Sequence, residues 1–365
     1  MKFDRKSIYQ FALLIVVTPL AASCSVLGVE SEQQKVFELR LNTAVAKYEE
    51  GNVVMAANMA RRALEIEPKN GEALSVLGMS LARNASATSD AMTSYQLVSD
   101  AIDAFMRAED AGTGSRFQVS FGHGTARTLR ARLCYSLAET EDRRQKIASD
   151  AEAKPGAEKL TDLKGRYQKR ADQLRSTAKE DLTIGEQRLL ASLSQKPNYI
   201  ETHEHLQAVY ALDENYEKCA EWGNKILALI EEQREERKNY IARADSNVSV
   251  SQRLRSELEQ LDIKETNSRS LLALAYSRLN NPRAAILELN RVLSIRPDRA
   301  EEYFNRGVCR QLLSDYNDAA GDFETFIRKS TAGPDSPMIQ DAWNRIHECK
   351  QKGGLNASNA TAAQK

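Results

Sequence analysis

The chain has 365 residues, and its 51 lysine and arginine side chains are matched by 51 aspartates and glutamates, so no overall field draws it to nucleic acid or an acidic bilayer. Aromatics and prolines are few, while Ala, Leu, Glu, Lys and Arg abound; this favours helix over sheet, and no period-2 run of useful length argues for a strand.

The first elements are those of an export leader. Lys2, Arg5 and Lys6 make a basic start, residues 11–17 an apolar run too short to span a bilayer, and Ala21, Ala22 and Ser23 the small residues expected before a cleavage point. The run Leu20-Ala21-Ala22-Ser23-Cys24 resembles the bacterial lipobox, with the leucine one place further from the cysteine than usual. That resemblance implies residues 1–23 as a lipoprotein signal peptide, Cys24 as the lipidated new N-terminus and 24–35 as a short linker. Each buried methylene of such an anchor adds about 0.8 kcal/mol of membrane affinity. Ser25, standing where an aspartate would signal retention, implies the outer membrane facing the periplasm under enterobacterial-type sorting. The shifted leucine leaves ordinary signal-peptidase cleavage open as a second reading. After residue 24 no apolar run is long enough to cross a membrane.

From 36 to 333 the pattern is one of paired helices. Ala44, Tyr48, Gly51, Ala56, Ala60, Ala63 and Pro68 form the first pair, with a short turn between its halves. Leu74, Leu77 and Gly78 open a second pair whose second helix, at 101–108, arrives about ten residues late, leaving 84–90 as the expected loop. A third pair is expected to begin near 126–137 and to close through 182–197 on Pro197, split by a charged insertion at about 141–181. Within it Leu160, Leu163, Tyr167 and Leu174 recur at roughly helical spacing, and Lys154-Pro155-Gly156 breaks it, which predicts an antiparallel helical arm.

Gln207, Ala208, Ala211, Ala220 and Leu227 mark the fourth pair, whose second helix runs on into another insertion at about 231–265. There 245–251 supplies a turn, and Leu254, Leu258 and Leu261 make a narrow seam suited to a second two-helix arm. Leu272, Ala273, Tyr276, Ala285, Leu289, Val292 and Pro297 form the fifth pair; Tyr303, Gly307, Ala319, Phe323 and Phe326 repeat those offsets in the sixth. Residues 334–352 carry Met338, Ile339, Ala342, Trp343 and Ile346 on one side and predict a capping helix with Trp343 in its core. Residues 353–365 predict a disordered polar tail.

These offsets closely resemble the tetratricopeptide repeat, about 34 residues long and closed by proline. Its logic is steric: Ala273, Gly307, Ala285 and Ala319 let antiparallel helices approach, Tyr276 or Phe323 fills the space beside them, and proline stops the second helix. The expected fold is therefore all-α, a TPR-type α-solenoid of about six helix-hairpin repeats with extended helical arms and a C-terminal capping helix. The resemblance implies that the first helix of each repeat lines a concave groove. The matching positions are Tyr48, Arg83, His205, Asn267, Arg278, Phe304 and Gln311. Family members that hold a chaperone's terminal carboxylate use a clamp of Lys, Asn and Arg, but Leu41 and Val45 occupy its first two places here. A mixed apolar, amide and basic groove suits an extended peptide or an amphipathic helix.

Catalytic signals are weak. His123, His203, His205 and His347 are scattered, and Glu201 with His205 at i and i+4 supplies only two ligands, so no metal site and no cofactor are expected. Gly122-His123-Gly124 and Gly112-Thr113-Gly114-Ser115 lack the lysine and spacing of a phosphate loop and read as connecting turns. No nucleophile elbow or zinc-protease helix occurs. Cys134, Cys219, Cys309 and Cys349 lie in apolar helical stretches and read as buried thiols, with Cys309–Cys349 the one pairing worth testing.

The expectation is a non-enzymatic adaptor, anchored at Cys24 and binding envelope proteins or peptides. Two other readings stay open: an envelope enzyme or hydrolase regulator with a pocket around His123, and self-assembly through the arms.

Overall fold

The computed structural model describes residues 31–112, 114–153, 160–243 and 248–362. The leader with Cys24, the break at 154–156, residues 245–247 of the second arm's turn and the last residues of the tail lie outside the described residues. The described chain is helical, in six pairs and a final helix: α1 (Glu32–Glu49) with α2 (Val53–Leu64), α3 (Gly71–Ala87) with α4 (Ala91–Ala111), and α5 (Arg116–Glu152) with α6 (Thr161–Leu193). Then come α7 (Ile200–Leu212) with α8 (Tyr216–Arg243), α9 (Val248–Arg278) with α10 (Pro282–Ile295), α11 (Ala300–Leu312) with α12 (Tyr316–Lys329), and α13 (Pro337–Ala362). No described helix is long and apolar enough to cross a membrane.

Two-residue devices punctuate four of the pairs. Gly51, Glu214, Asn280 and Ser314 each take a positive φ between 56° and 81°, ending the first helix in a left-handed residue. The next residue's N–H reaches back to the last turn: Asn52 to the Lys47 carbonyl at 2.9 Å, Asn215 to Tyr210 at 2.9 Å, Asn281 to Tyr276 at 2.8 Å and Asp315 to Arg310 at 3.0 Å. Asn52, Asn215 and Asn281 then turn their side-chain oxygens forward and accept from the first turn of the following helix. One residue stops a helix and its neighbour starts another. At the other joints Pro68, Pro197 and Pro297 follow the second helices, and α3, α7 and α11 begin shortly after them.

The apolar core is a chain of neighbouring clusters rather than one ball, as expected of a solenoid. One runs from Phe37 on α1 to Ala126 on α5, the next from Ala131 on α5 to Ala275 on α9, and another joins α11, α12 and α13. Cys134, Cys219, Cys309 and Cys349 are buried free thiols within this core.

The second and third pairs depart from the sequence reading. Helix α3 continues through most of the expected 84–90 loop, and α4 starts at Ala91 because Asp90 caps it, accepting from the Thr93 N–H at 2.7 Å. Helix α5 starts at Arg116, capped by Ser115, so Gly122-His123-Gly124 lies inside a helix and is not a turn. The glycines serve packing there. The fully buried ring of Phe105 fills the space beside Gly78 and Gly122, and Leu189 of α6 comes within 2.7 Å of where a Cβ on Gly124 would stand. By contrast, Gly112 and Gly114, with φ of 65° and 91°, do form the bend between α4 and α5.

Both insertions are long antiparallel helices. The distal parts of α5 and α6 meet along a small-residue seam of Ala138, Ala148, Ala171 and Ala178, flanked by Glu152–Lys164 and Asp142–Arg175 ion pairs. Helices α8 and α9 pack Ile226, Ile230, Leu258 and Leu261 together, with Arg237 on Glu257 at 3.0 Å further out. The first arm lies within one pair; the second joins the last helix of one pair to the first of the next.

Helix α13 buries Ile339, Ala342, Ile346 and Cys349 against α12. Trp343, expected in the core, is 52 % exposed, because Ile339, Ala342 and Ile346 take the side of α13 that packs on α12. The helix runs past residue 352 into the segment expected to be a disordered tail.

Candidate functional site

The first helices of the pairs form a row, and named side chains tie neighbours together along much of it. At its start Arg83 of α3 donates to the Tyr48 carbonyl of α1 at 3.4 Å, its guanidinium 5.6 Å from the tyrosine ring centre. Burial raises the Tyr48 hydroxyl pKa, with Arg83 opposing.

Between α5 and α7 the joint is aromatic. Phe117 and Phe121, one turn apart on α5, stack at 5.8 Å, and Tyr199 at the cap of α7 meets both edge-on at 5.1 and 5.3 Å. His205 approaches Phe121 at 5.6 Å, and the Lys196 ammonium lies 4.3 Å over Phe117. Phe121, Tyr199 and His205 remain partly exposed. Burial, then the charges of Arg132 and Lys264, push the His205 pKa down to about 4, so this imidazole is neutral near pH 7. The same cluster holds the Tyr199 hydroxyl well above its ordinary range, first through burial and then through Glu201, Tyr48 and Glu204.

Lys264 of α9 bridges to α7, donating to Glu201 at 2.9 Å and Glu204 at 3.1 Å. Burial opposes its charge, but the two carboxylates outweigh that and raise its pKa. Next, Arg299 at the cap of α11 donates to Asn267 at 2.5 Å, and Ser270 donates to Glu302 at 2.5 Å. The last link is Gln311, which donates to Glu348 at 3.0 Å and accepts from Arg345 at 2.9 Å, both on α13.

The structure thus joins Tyr48 to Arg83 and places His205, Asn267 and Gln311 each at a junction between first helices or with α13. Phe304 meets Phe323 and Phe326 of its own pair at 5.4 and 5.3 Å, with Arg345 5.7 Å above it. Arg278 stands exposed in the last turn of α9. Sequence reasoning missed Phe117, Phe121, Tyr199 and Lys264. The i, i+4 spacing of the two phenylalanines was visible, but starting the third pair near residue 126 left them outside it.

The reading that set a pocket around His123 is corrected. That side chain is 1 % exposed, its Nδ1 lies 2.9 Å from Glu109, and its Nε2 accepts from Arg127 at 3.1 Å, which fixes the neutral Nδ1–H form. Arg127 and Arg130 both donate to the buried Asp181, and the ring stacks on Phe105. Every polar atom of the imidazole is engaged in joining α4, α5 and α6, which leaves it no free role as a base. Among the described residues no group of three or more His, Cys, Asp or Glu is placed to hold a metal ion.

What the row of first helices can do is bind. It offers aromatic surface, amides and mixed charges over a long span, the features that suit an extended segment of another protein. A family model described as tetratricopeptide repeat matches residues 271–344. No curated protein matches the chain. Among solved structures it is similar to a tetratricopeptide repeat protein from Parabacteroides merdae, at 12 % identity over 86 % of this chain and 99 % of that one with a TM-score of 0.35. It is also similar to the assembly chaperone of RpL4 (Acl4), residues 1–338, at 16 % identity over 89 % and 99 % of the two chains with a TM-score of 0.37. The matched pattern lies where α9 to α13 pair and cap as the tetratricopeptide repeat requires.

Proposed function

We propose that the protein is a non-enzymatic adaptor that binds a segment of another envelope protein along the row of its first helices. The lipobox-like leader supports a lipid anchor at Cys24 and a position at the bacterial outer membrane facing the periplasm. The observation that carries the binding reading is the partly exposed cluster of Phe121, Tyr199 and His205 at the α5–α7 joint, beside the Lys264–Glu201–Glu204 bridge. Partly exposed aromatic anchors ringed by polar groups are the usual composition of a binding hot spot.

The test is affinity purification after mild crosslinking in cells. The wild-type chain, Cys24→Ser, and a Phe121→Ala/Tyr199→Ala double variant are compared, with circular dichroism confirming that each is folded. The double variant is expected to lose the crosslinked partners, while Cys24→Ser leaves the membrane fraction. Unchanged partners in the double variant refute the site, and a Cys24→Ser protein that stays in the membrane fraction refutes the anchor. Light scattering on the Cys24→Ser form separates partner binding from self-assembly through the arms.

A further inference from the structure

A cleft of about 530 Å³ lies at the root of the first arm, where the start of α4 meets the outgoing α5 and the returning α6. Glu141 lines it. This residue is 4 % exposed, and its Oε1 accepts from Arg144 at 2.9 Å with Arg170 at 3.7 Å. Its Oε2 is buried and has no hydrogen-bond partner. A buried carboxylate oxygen is costly to leave without a donor, and Glu141 is the one carboxylate lining this cleft.

Thr140 and Thr177 also line the cleft, and in the register set by the Asp142–Arg175 pair they stand level across the arm. Their hydroxyl protons go to the Ser136 and Gln173 carbonyls, each at 3.1 Å, so both offer only lone pairs. Beside the Gln173 amide and the Tyr95 hydroxyl, the cleft therefore presents one carboxylate oxygen and two hydroxyl oxygens that can only accept. An ammonium group has three donors and no acceptor. Met92, Tyr95, Leu137 and Leu174 supply apolar wall, which suits a methylene stem. The Arg144 and Arg170 side chains are 52 % and 56 % exposed, so solvent screens their repulsion of an incoming cation, and they favour an acidic group beside it.

We propose that this cleft receives a lysine side chain of a partner protein, with its ammonium on Glu141, Thr140 and Thr177 and a neighbouring acidic residue against the two arginines. The proposal rests on the adaptor reading only for the source of the amine.

The test is methyl-detected NMR titration of the full-length chain with n-butylamine, then with a blocked peptide containing a central Lys-Glu pair. Butylamine is expected to shift the methyl signals of Leu137, Thr140, Leu174 and Thr177 saturably, and the peptide to bind at least tenfold more tightly. Glu141→Gln is expected to weaken both at least tenfold, and Thr177→Val, which keeps the shape, severalfold, with thermal unfolding showing both variants folded. A peptide with norleucine for lysine is expected not to bind. No saturable shift, unchanged binding in Glu141→Gln, or tighter binding of butyrate than of butylamine overturns the site. Tighter binding of putrescine, or of an unblocked lysine-free peptide, than of the blocked lysine peptide overturns the assignment to a side chain. Because butylamine needs no partner, an occupied cleft without crosslinked partners sinks the adaptor reading alone, and the reverse sinks the cleft alone.

Discussion

The ring of Phe105 occupies the space that a Cβ on Gly122 would need, and the opposite neighbour, Gly78, would bring its own Cβ within 2.8 Å of the same ring. One aromatic side chain on α4 thus sets how closely α3 and α5 approach. Gly122→Ala is expected to cost about 1–3 kcal/mol by overpacking, partly offset by about 1 kcal/mol of helix propensity. Gly321→Ala, on α12 with nothing within 4 Å of its Cβ, is expected to gain up to about 1 kcal/mol. Urea unfolding of the two variants beside the wild type measures both; a Gly122→Ala that gains as much stability as Gly321→Ala would mean that the ring is not seated there.

The left-handed turns make a second prediction. Glu214 and Ser314 hold positive φ without being glycine, at 57° and 64°. A side chain in that region costs about 1–2 kcal/mol, and glycine's extra freedom in the unfolded chain returns part of it. Glu214→Gly and Ser314→Gly should each stabilise by about 0.5–1 kcal/mol, while Gly51→Ala should destabilise by about 1 kcal/mol. Shifts in Tm by circular dichroism check the opposite signs.

Glu265 gathers three helices. It accepts from Arg234 of α8 at 2.6 Å, Arg269 of α9 at 2.8 Å and Arg291 of α10 at 3.0 Å. Burial alone would raise its pKa, but the three guanidiniums outweigh it and bring the carboxyl down to about 2. Since the folded value lies below the unfolded one of 4.5, its stabilisation is whole above that pH and is lost as pH falls toward 2. Solvent screening keeps the loss to about 2 kcal/mol. Glu265→Gln should be less stable at neutral pH and should lack that part of the acid-induced fall in Tm.

His205 behaves in the same direction for a different reason. Its folded pKa of about 4 lies below the ordinary 6.5 because burial and two cations disfavour the imidazolium. The unfolded chain takes up the proton first, so stability present above pH 6.5 is lost as pH falls toward 4. The ring proton signals of His205 should titrate with a midpoint near 4, and His205→Phe should flatten the pH dependence of Tm between 4 and 6.5. A midpoint near 6.5 would place this ring in open solvent.

The helix pairs were legible because their signals are local. Proline after a second helix, or a two-residue stop and start such as Asn280-Asn281, acts through the backbone of its own few residues, whatever lies elsewhere. The arms were legible for a similar reason, since a narrow apolar seam along a charged helical stretch marks one face for a partner helix. Gly122-His123-Gly124 was not. Two glycines around a histidine suit a turn equally well until Phe105 and Leu189 are known to press on them from other helices.

The sequence by itself determined an all-helical repeat chain and most of the turns within its pairs, and it named candidate positions on the first helices. Only the tertiary structure decided what those positions do. It joined Tyr48 to Arg83 and Gln311 to α13, left Trp343 exposed, and brought Phe117 and Phe121 against Tyr199. The physical reason is range. Capping and turn chemistry are settled within a few residues, whereas the environment of a side chain in a solenoid depends on the neighbouring repeat, whose distance in the chain the long arms make large.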